Sequence, residues 1–438
     1  MLLKKILLAS AVCCCGTAVC STESNDEVKL GQKLSDFLRN AGIETDLSVD
    51  GKGNMTAAFI NQNEKGNFEN GTFSYEGDVN LHYRKRASDF GYGVECCVKT
   101  RSGMIKQGRA IVDSLYGFIE TDNFGRFNIG YTSTAADKFT IGGNSVFVAY
   151  GGPDSGNLHA FYNQSAGTIV GTGCHVDDGK AAKIAWFSPT IKGFSLAMSY
   201  TLDSKRAAPF KTKHCSENCN HDAHACWDYA HTSGFSRRIF TIAGKYEYGC
   251  ADDFNATFSA GGWFGKGKSG TIEGGVHDVR AYQVGTILGY KNLKVAFGFI
   301  DCGRSIVDKY QATAESDPFD ENARYDIHDP KVGLRHGADA GKIYTYGISY
   351  KMDRLTLSAG YFRSVVNFSD KKSERAIANI TTVGAEYKVN NVLSVYAEYD
   401  NIITKTCDRA RAYAKACEQG HTGANRANMF IFGSKIYF

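Results

Sequence analysis

The sequence predicts an all-β protein, a transmembrane antiparallel β-barrel of about sixteen strands. Apolar and polar residues alternate at every second position over most of the 438-residue chain, as in strands with lipid on one face and water on the other. The composition combines 48 glycines and 51 tyrosines plus phenylalanines with only 5 prolines, which suits strands and aromatic girdles. No internal stretch approaches the roughly 18 apolar residues that a spanning helix needs.

The N-terminus is predicted to be a signal peptide covering residues 1–20. Lys4 and Lys5 precede an apolar core at 6–19, and the chain turns polar at Ser21, the pattern of an export signal. Cleavage near Cys20 is expected, and a lipid-anchored Cys20 is the alternative. Removal of the two lysines lowers the formal charge from +4 to +2, which gives no reason to expect nucleic acid as a partner.

Residues 21–45 are charged with a weak helical pattern. We interpret them as a periplasmic lead-in, with a short helix that oligomerises or contacts the cell wall as the alternative. The barrel domain is predicted to span residues 46–438.

Residues 73–84 show the strand pattern most clearly. Phe73 and Tyr75 begin an apolar face, while Glu76 and Asp78 lie on the opposite, polar face. An edge strand of a soluble sandwich could look the same. Repetition of the pattern along the chain favours a barrel with lipid outside and water inside.

Sixteen segments carry this pattern, and short and long connections alternate between them. Short turns on one side and long loops on the other are typical of outer-membrane barrels, and an even strand number brings both chain ends to the periplasmic side. The predicted strands are 53–62, 72–84, 90–100, 113–121, 124–132, 181–188, 194–203, 237–248, 253–264, 277–290, 292–301, 342–351, 354–365, 376–388, 391–400 and 426–438.

The last predicted strand has an apolar outer face made of Phe430, Phe432, Ile436 and Phe438. A final strand that ends on an aromatic residue suits closure of a barrel in lipid. Phe438 is therefore the candidate barrel-assembly signal.

Ten of the fourteen cysteines lie outside the signal peptide. An exported chain meets an oxidising compartment, so Cys407 and Cys417 are predicted to form a disulfide. The predicted loop 204–236 combines cysteines and histidines, which could bind zinc or contain a disulfide. We favour the disulfide and predict no metal site and no cofactor. The residues concerned are Cys215, Cys219, His221, His224, Cys226 and His231.

Several segments together resemble the general diffusion porins of Gram-negative outer membranes. Residues 113–131 read DSLYGFIETDNFGRFNIGY and are similar to a hairpin of that family, except that Tyr131 stands where the family has arginine. Residues 184–200 read IAWFSPTIKGFSLAMSY and resemble its aromatic-x-S-P-x-x-x-G-F-S hairpin. The likeness extends from about residue 45 to 438.

The resemblance implies a homotrimer in the bacterial outer membrane, with a pore in each subunit. It also implies that the third long loop, residues 133–180, folds inward to narrow the channel. Outer-membrane lipid, lipopolysaccharide, the barrel assembly machinery and small hydrophilic solutes are the implied partners.

Charged residues at the narrow section would set selectivity, because low-dielectric walls strengthen their fields. We predict that Asp137 and Asp154 on the loop face Lys99, Arg101 and Arg126 on the wall, giving a weak cation preference. Other predicted lumen-lining residues are Glu76, Asp78, Glu95 and Lys183.

The predicted function is therefore passive diffusion of small hydrophilic solutes through a water-filled channel. A channel selective for sugars or an anion is one alternative, and a surface barrel whose long loops bind a host partner is another. We predict no enzymatic activity, because the strand pattern yields no catalytic constellation.

Overall fold

A computed structural model gives the architecture of most of the chain. It describes residues 47–63, 71–87, 89–102, 109–152, 168–169, 180–204, 234–250, 253–269, 277–305, 339–368, 374–407 and 424–438. The predicted signal peptide and lead-in lie outside these residues and stay predictions.

The described residues form sixteen strands and two short helical segments, α1 (Ala135–Phe139) and a 3-10 turn (Gly143–Val146). Every predicted strand is present, with ends that differ by a few residues. The strands are β1 (Leu47–Gln62), β2 (Gly71–Ala87), β3 (Phe90–Ser102), β4 (Arg109–Thr121), β5 (Gly125–Tyr131), β6 (Ala182–Phe187), β7 (Phe194–Asp203), β8 (Gly234–Cys250), β9 (Phe254–Ser269), β10 (Val279–Tyr290), β11 (Leu293–Asp301), β12 (Lys342–Met352), β13 (Leu355–Asn367), β14 (Arg375–Lys388), β15 (Leu393–Lys405) and β16 (Asn425–Tyr437).

The strands close into a single antiparallel barrel, which confirms the predicted fold class. Each strand pairs with its neighbours in sequence, and β1 pairs with β16 from Lys52↔Tyr437 to Gln62↔Ala427. At the seam, Phe438 exchanges backbone hydrogen bonds with Gly51, at 2.9 and 3.1 Å. Closure satisfies the strand backbone internally, as a lipid-facing sheet requires.

The two faces of the wall follow the predicted alternation. On β16, Phe430 and Phe432 are about half exposed, whereas Met429 and Ile431 between them are fully buried. On β2, Phe73 and Tyr75 are exposed and Ser74 is buried. The exposed aromatic and aliphatic side chains therefore form the outer surface of the barrel. Among the helices of the described residues, none has the length and apolarity needed to cross a membrane.

An apolar cluster lies inside the barrel, on the inward face of β12–β16 and their neighbours. Phe362, Ile380, Ile402 and Met429 are completely buried there, and Tyr150 from the loop after β5 belongs to the same cluster. We expected water along the inner face, and at these positions protein atoms exclude it. The interior is thus divided into a packed sector and a polar sector.

Candidate functional site

The segment after β5 is called loop 3 here (residues 132–181), and its described residues after β5, 132–152, lie inside the barrel. It begins deep inside because β5 and β6 are short, with seven and six residues. Helix α1 then lies against the inward face of β7–β10. The amide of Ala135 donates to Ser199 Oγ at 3.1 Å, and Gln283 Nε2 donates to the carbonyl of Ala136 at 2.7 Å. The resemblance predicted an inward third loop, and the structure confirms it.

The 3-10 turn continues along the wall to β12 and β13. The amide of Gly143 donates to Thr345 Oγ1 at 2.9 Å. A Cβ on Gly143 would collide with the backbone of Tyr346, and one on Gly347 would collide with the carbonyl of Gly143. Glycine at both positions therefore permits direct contact between the loop backbone and the wall backbone.

Two wall carboxylates hold the next part of loop 3. Glu398 on β15 accepts from the amides of Gly151 and Gly152 at 3.0 and 3.2 Å, while Glu386 on β14 accepts from the amide of Ala149 at 3.0 Å. Lys435 Nζ lies 2.6 Å from Glu386. Buried amides need acceptors, so these contacts fix the loop against the wall.

A charged network covers the polar sector on β2–β5. Arg126 Nη2 lies 2.6 Å from Glu95 Oε1, and its guanidinium stacks 3.9 Å from the centroid of the Phe118 ring. Glu95 also accepts from the hydroxyl of Tyr116 and lies 3.7 Å from His82 Nδ1. Arg126 is therefore held in one orientation by a carboxylate and an aromatic face.

A second network joins this wall to the end of loop 3. Asp113 Oδ2 lies 3.2 Å from Lys99 Nζ and 3.8 Å from Lys180 Nζ. Lys180 also donates to Ser133 Oγ at 2.6 Å. The entry and exit of loop 3 thus meet beside an ion pair of the wall.

Helix α1 adds a fourth cation, Lys138, to this region. Partial burial lowers the pKa of Lys138 below its usual value, although part of the side chain stays exposed. The charges of Lys180 and Arg126 lower this pKa further, whereas Glu95 raises it. Lys138 therefore lies within electrostatic range of both wall networks.

Two predicted constriction residues, Lys99 and Arg126, belong to the two separate networks above, and Asp137 is half-buried on α1. Glu95, predicted to line the lumen, is the ion-pair partner of Arg126. Asp154 and the side chain of Arg101 lie outside the described residues.

The other predicted lumen residues have distinct surroundings. Asp78 lies 3.4 Å from Lys52, and Glu76 shares its inward face on β2. Lys183 is buried and donates to the carbonyl of Thr132 at 2.6 Å, so it supports the start of loop 3.

Sequence reasoning missed the contributions of Asp113, Lys138, Lys180, Glu386 and Glu398. For Glu386 and Glu398 the available signal was an acidic residue at an inward position of a predicted strand.

The predicted disulfide between Cys407 and Cys417 stays a prediction, because Cys417 lies outside the described residues. Cys407 is buried in the apolar cluster inside the barrel. Cys417 and the cysteines and histidines of residues 204–236 lie outside the described residues. Within the described part of the chain, no group of three or more metal-ligating side chains is assembled.

Comparisons with known proteins agree with this architecture. A family model described as Gram-negative porin matches residues 9–406. An uncharacterized protein of Rickettsia bellii (strain RML369-C) is 22% identical over 459 residues, covering 92% of this chain and 94% of its own.

Among solved structures, Salmonella typhi OmpF in complex with daunomycin aligns with a TM-score of 0.57 at 13% identity, covering 90% of this chain and 97% of that one. At this identity the likeness concerns the fold. A mutant of Rh. blastica porin aligns with a TM-score of 0.47 at 12% identity, over 90% and 100% of the two chains.

Proposed function

The chain belongs to the Gram-negative porin family of outer-membrane channels, and we propose that it passes small hydrophilic solutes by passive diffusion. A sixteen-stranded barrel leaves room for an aqueous channel. Movement down a gradient needs neither a catalyst nor an energy source. Lipopolysaccharide and the barrel assembly machinery are proposed partners on the basis of the family resemblance.

The observation that carries this proposal is the division of the interior by loop 3. Its backbone is held by Glu386 on β14 and Glu398 on β15, and the wall formed by β2–β5 carries the charged networks of Arg126 and Lys99. We propose that solutes pass between α1 and the wall formed by β2–β5. The distance between loop and wall there would set the size limit.

The same region suggests a mild anion preference. Four cations (Lys99, Arg126, Lys138 and Lys180) face two carboxylates (Glu95 and Asp113). The formal charges of these six groups therefore sum to +2, which favours anions, whereas the sequence predicts a cation preference. The pairing of Asp137 and Asp154 with Lys99, Arg101 and Arg126 is retained as a proposal, and either aspartate would moderate this excess. Fields at a narrow section between low-dielectric walls are strong enough to bias permeation.

An anion-selective channel is the second candidate function, and the same excess of cations favours it. A sugar channel has less support, because Tyr396 is buried beneath Tyr150, with ring centroids 6.4 Å apart, rather than lining an open track.

Reconstitution of the purified protein tests these functions. Planar bilayers should show large ohmic channels with a reversal potential displaced towards anions in a salt gradient. Liposomes should swell with small sugars at rates that fall with sugar size. Saturation of anion flux at low anion concentration would support the anion-selective channel over passive diffusion. Absence of conductance in correctly folded protein would reject both functions.

A further inference from the structure

Three lysines lie on the inner wall of the barrel near its periplasmic end. They are Lys294 on β11, Lys351 on β12 and Lys388 on β14, and all three are exposed. Each is close to the short turn at the end of its strand. We call these three residues the vestibule lysines.

The contacts of loop 3 show that these lysines are on the inward face. A Cβ on Gly298 of β11 or on Gly347 of β12 would collide with the backbone of loop 3, and the lysine of each strand is four residues away. On β14 the lysine is two residues from Glu386, which accepts from the amide of Ala149. Even spacing keeps side chains on one face, and a rise of about 3.3 Å per residue places the lysines roughly 7–13 Å below loop 3.

The vestibule lysines differ from other inward cations in their pairing. Five inward cations lie between 2.6 and 3.4 Å from a carboxylate oxygen, namely Lys52, Lys99, Arg126, Lys245 and Lys435. Within the described part of the chain, no vestibule lysine forms an ion pair. The inward face of β10–β14, all of whose residues are described, contains one carboxylate, Glu386, and its partner is Lys435. This part of the wall therefore has an uncompensated positive charge.

The vestibule lysines are also close to one another. The pairing Lys294↔Ser349 makes Lys294 and Lys351 diagonal neighbours, roughly 7–8 Å apart. Lys351 pairs with Thr356 on β13, so Lys388 on β14 is two strands away, about 10 Å sideways. Because the inner wall is concave, the three side chains point towards a common volume of the lumen. Like charges at such spacing repel, and an anion that reaches several of them relieves this repulsion.

The residue type indicates what such an anion must carry. A lysine ammonium is a compact point charge without the planar fork of arginine, so a group of lysines selects for the number of negative charges rather than for their shape. A monovalent anion gains little from one exposed ammonium. An anion with three charges engages several lysines at once, and each further contact is intramolecular.

We propose that the vestibule lysines bind small polyvalent anions, such as tricarboxylates and oligophosphates, on the periplasmic side of loop 3. The site is separate from the charged networks of β2–β5, whose cations are already paired. It is reached from the periplasm without passage through the narrow section. The inference rests on the proposed water-filled pore, because the lysines must be accessible from its periplasmic end.

Binding to the purified full-length protein in detergent tests the proposal. Isothermal titration calorimetry compares citrate and tripolyphosphate with acetate at constant ionic strength. Both polyvalent anions should bind, acetate should not, and added salt should weaken the binding. The triple variant Lys294→Gln, Lys351→Gln and Lys388→Gln should bind both polyvalent anions about tenfold more weakly, since three exposed charge pairs are lost.

The matched control removes three lysines from the same end of the barrel without changing its inner wall. It carries Lys85→Gln on the outward face of β2 together with Lys192→Gln and Lys291→Gln in turns, and all three residues are exposed. Its net charge equals that of the triple variant. It should bind citrate and tripolyphosphate as the parent protein does.

Channel recordings keep failure of this proposal distinct from failure of the pore function. In channels of known orientation, citrate added on the periplasmic side should reduce the current at a lower concentration than citrate added outside, and the triple variant should remove this difference. Absence of conductance with binding intact would reject the pore but support the lysine site. Equal affinity in the parent and the triple variant, or an equal loss in the control, would overturn the proposal. So would binding of tripolyphosphate without citrate, because charge number would then not decide.

Discussion

At the scale of single residues, the sign of the selectivity depends on Lys138. Lys138→Glu changes the summed formal charge of the six groups beside α1 from +2 to 0, because it removes one positive charge and adds one negative charge at the loop. We expect the reversal potential in a salt gradient to move towards the cation value while single-channel conductance stays in the same range. Planar-bilayer recordings measure both.

The matched control is Lys192→Glu, at an exposed turn on the periplasmic side. It changes the charge of the whole protein equally but lies away from loop 3. An equal shift in both variants would show that overall charge, rather than the charge beside α1, sets the selectivity.

The titration of Lys138 predicts that the anion preference of the channel depends on pH. The lowered pKa of Lys138 means that its amine loses its positive charge at a lower pH than an ordinary lysine does. Anion preference should therefore be full at low pH and decline as the pH rises through that lowered pKa. Lys138→Arg should keep the preference over the same range, because a guanidinium stays protonated. A decline of equal size in the arginine variant would assign the titration to another group.

At the scale of elements, the attachment of loop 3 depends on wall carboxylates. Glu398→Gln replaces two accepting oxygens with one oxygen and one amide nitrogen, so that one amide of Gly151 or Gly152 loses its acceptor. Leaving a buried donor unsatisfied costs about 1–3 kcal/mol. We expect a lower midpoint of thermal unfolding and noisier open-channel current. Heat-modifiability gels and bilayer recordings measure these effects.

Glu247→Gln is the control for this substitution. Glu247 is exposed near the periplasmic end of β8 and lies 2.8 Å from Lys245. An exposed pair of this kind contributes little to stability. If both variants behaved alike, the hydrogen bonds from Glu398 would not be what restrains loop 3.

The strands were predictable from sequence because the signal for each is local. On β2, Phe73, Tyr75, Glu76 and Asp78 occupy the faces that a two-residue period assigns to them. Predicted ends erred mainly at the external side. The fifteenth strand was expected to end at residue 400 but continues to Lys405, because strands extend beyond the apolar region that defines the pattern.

The interior of the barrel was not predictable in the same way. The amide of Ala149 meets a carboxylate 237 residues later in the chain, and that of Gly151 meets one 247 residues later. The sequence around Glu386 or Glu398 does not differ from that around any other acidic residue on a water-facing strand.

At the scale of the whole molecule, the perimeter has two unlike parts. Exposed cations (Arg363, Lys405 and Arg426) lie on the outward face of β13, β15 and β16, whereas the outward residues of β1, β3 and β5 are uncharged over their described length. Gly53 leaves the outward face of β1 low, because a Cβ there would meet nothing within 4 Å, and Met55 and Tyr75 are exposed on the same face. A low, apolar surface of this kind suits close packing with another subunit. We therefore predict that, in the homotrimer that the family resemblance implies, the subunit contact lies at β1–β5.

Paired substitutions separate this assignment from general loss of apolar surface. Phe59→Ala with Tyr75→Ala removes two outward side chains from β1 and β2, and Tyr346→Ala with Ile348→Ala removes two of similar exposure from β12. Both variants lose contact area, but only the first should shift the protein from trimer to monomer in sedimentation velocity in detergent. The second should remain trimeric, because its side chains face lipid. If the β12 variant dissociated and the β1–β2 variant did not, the subunit contact would lie on the opposite side of the barrel.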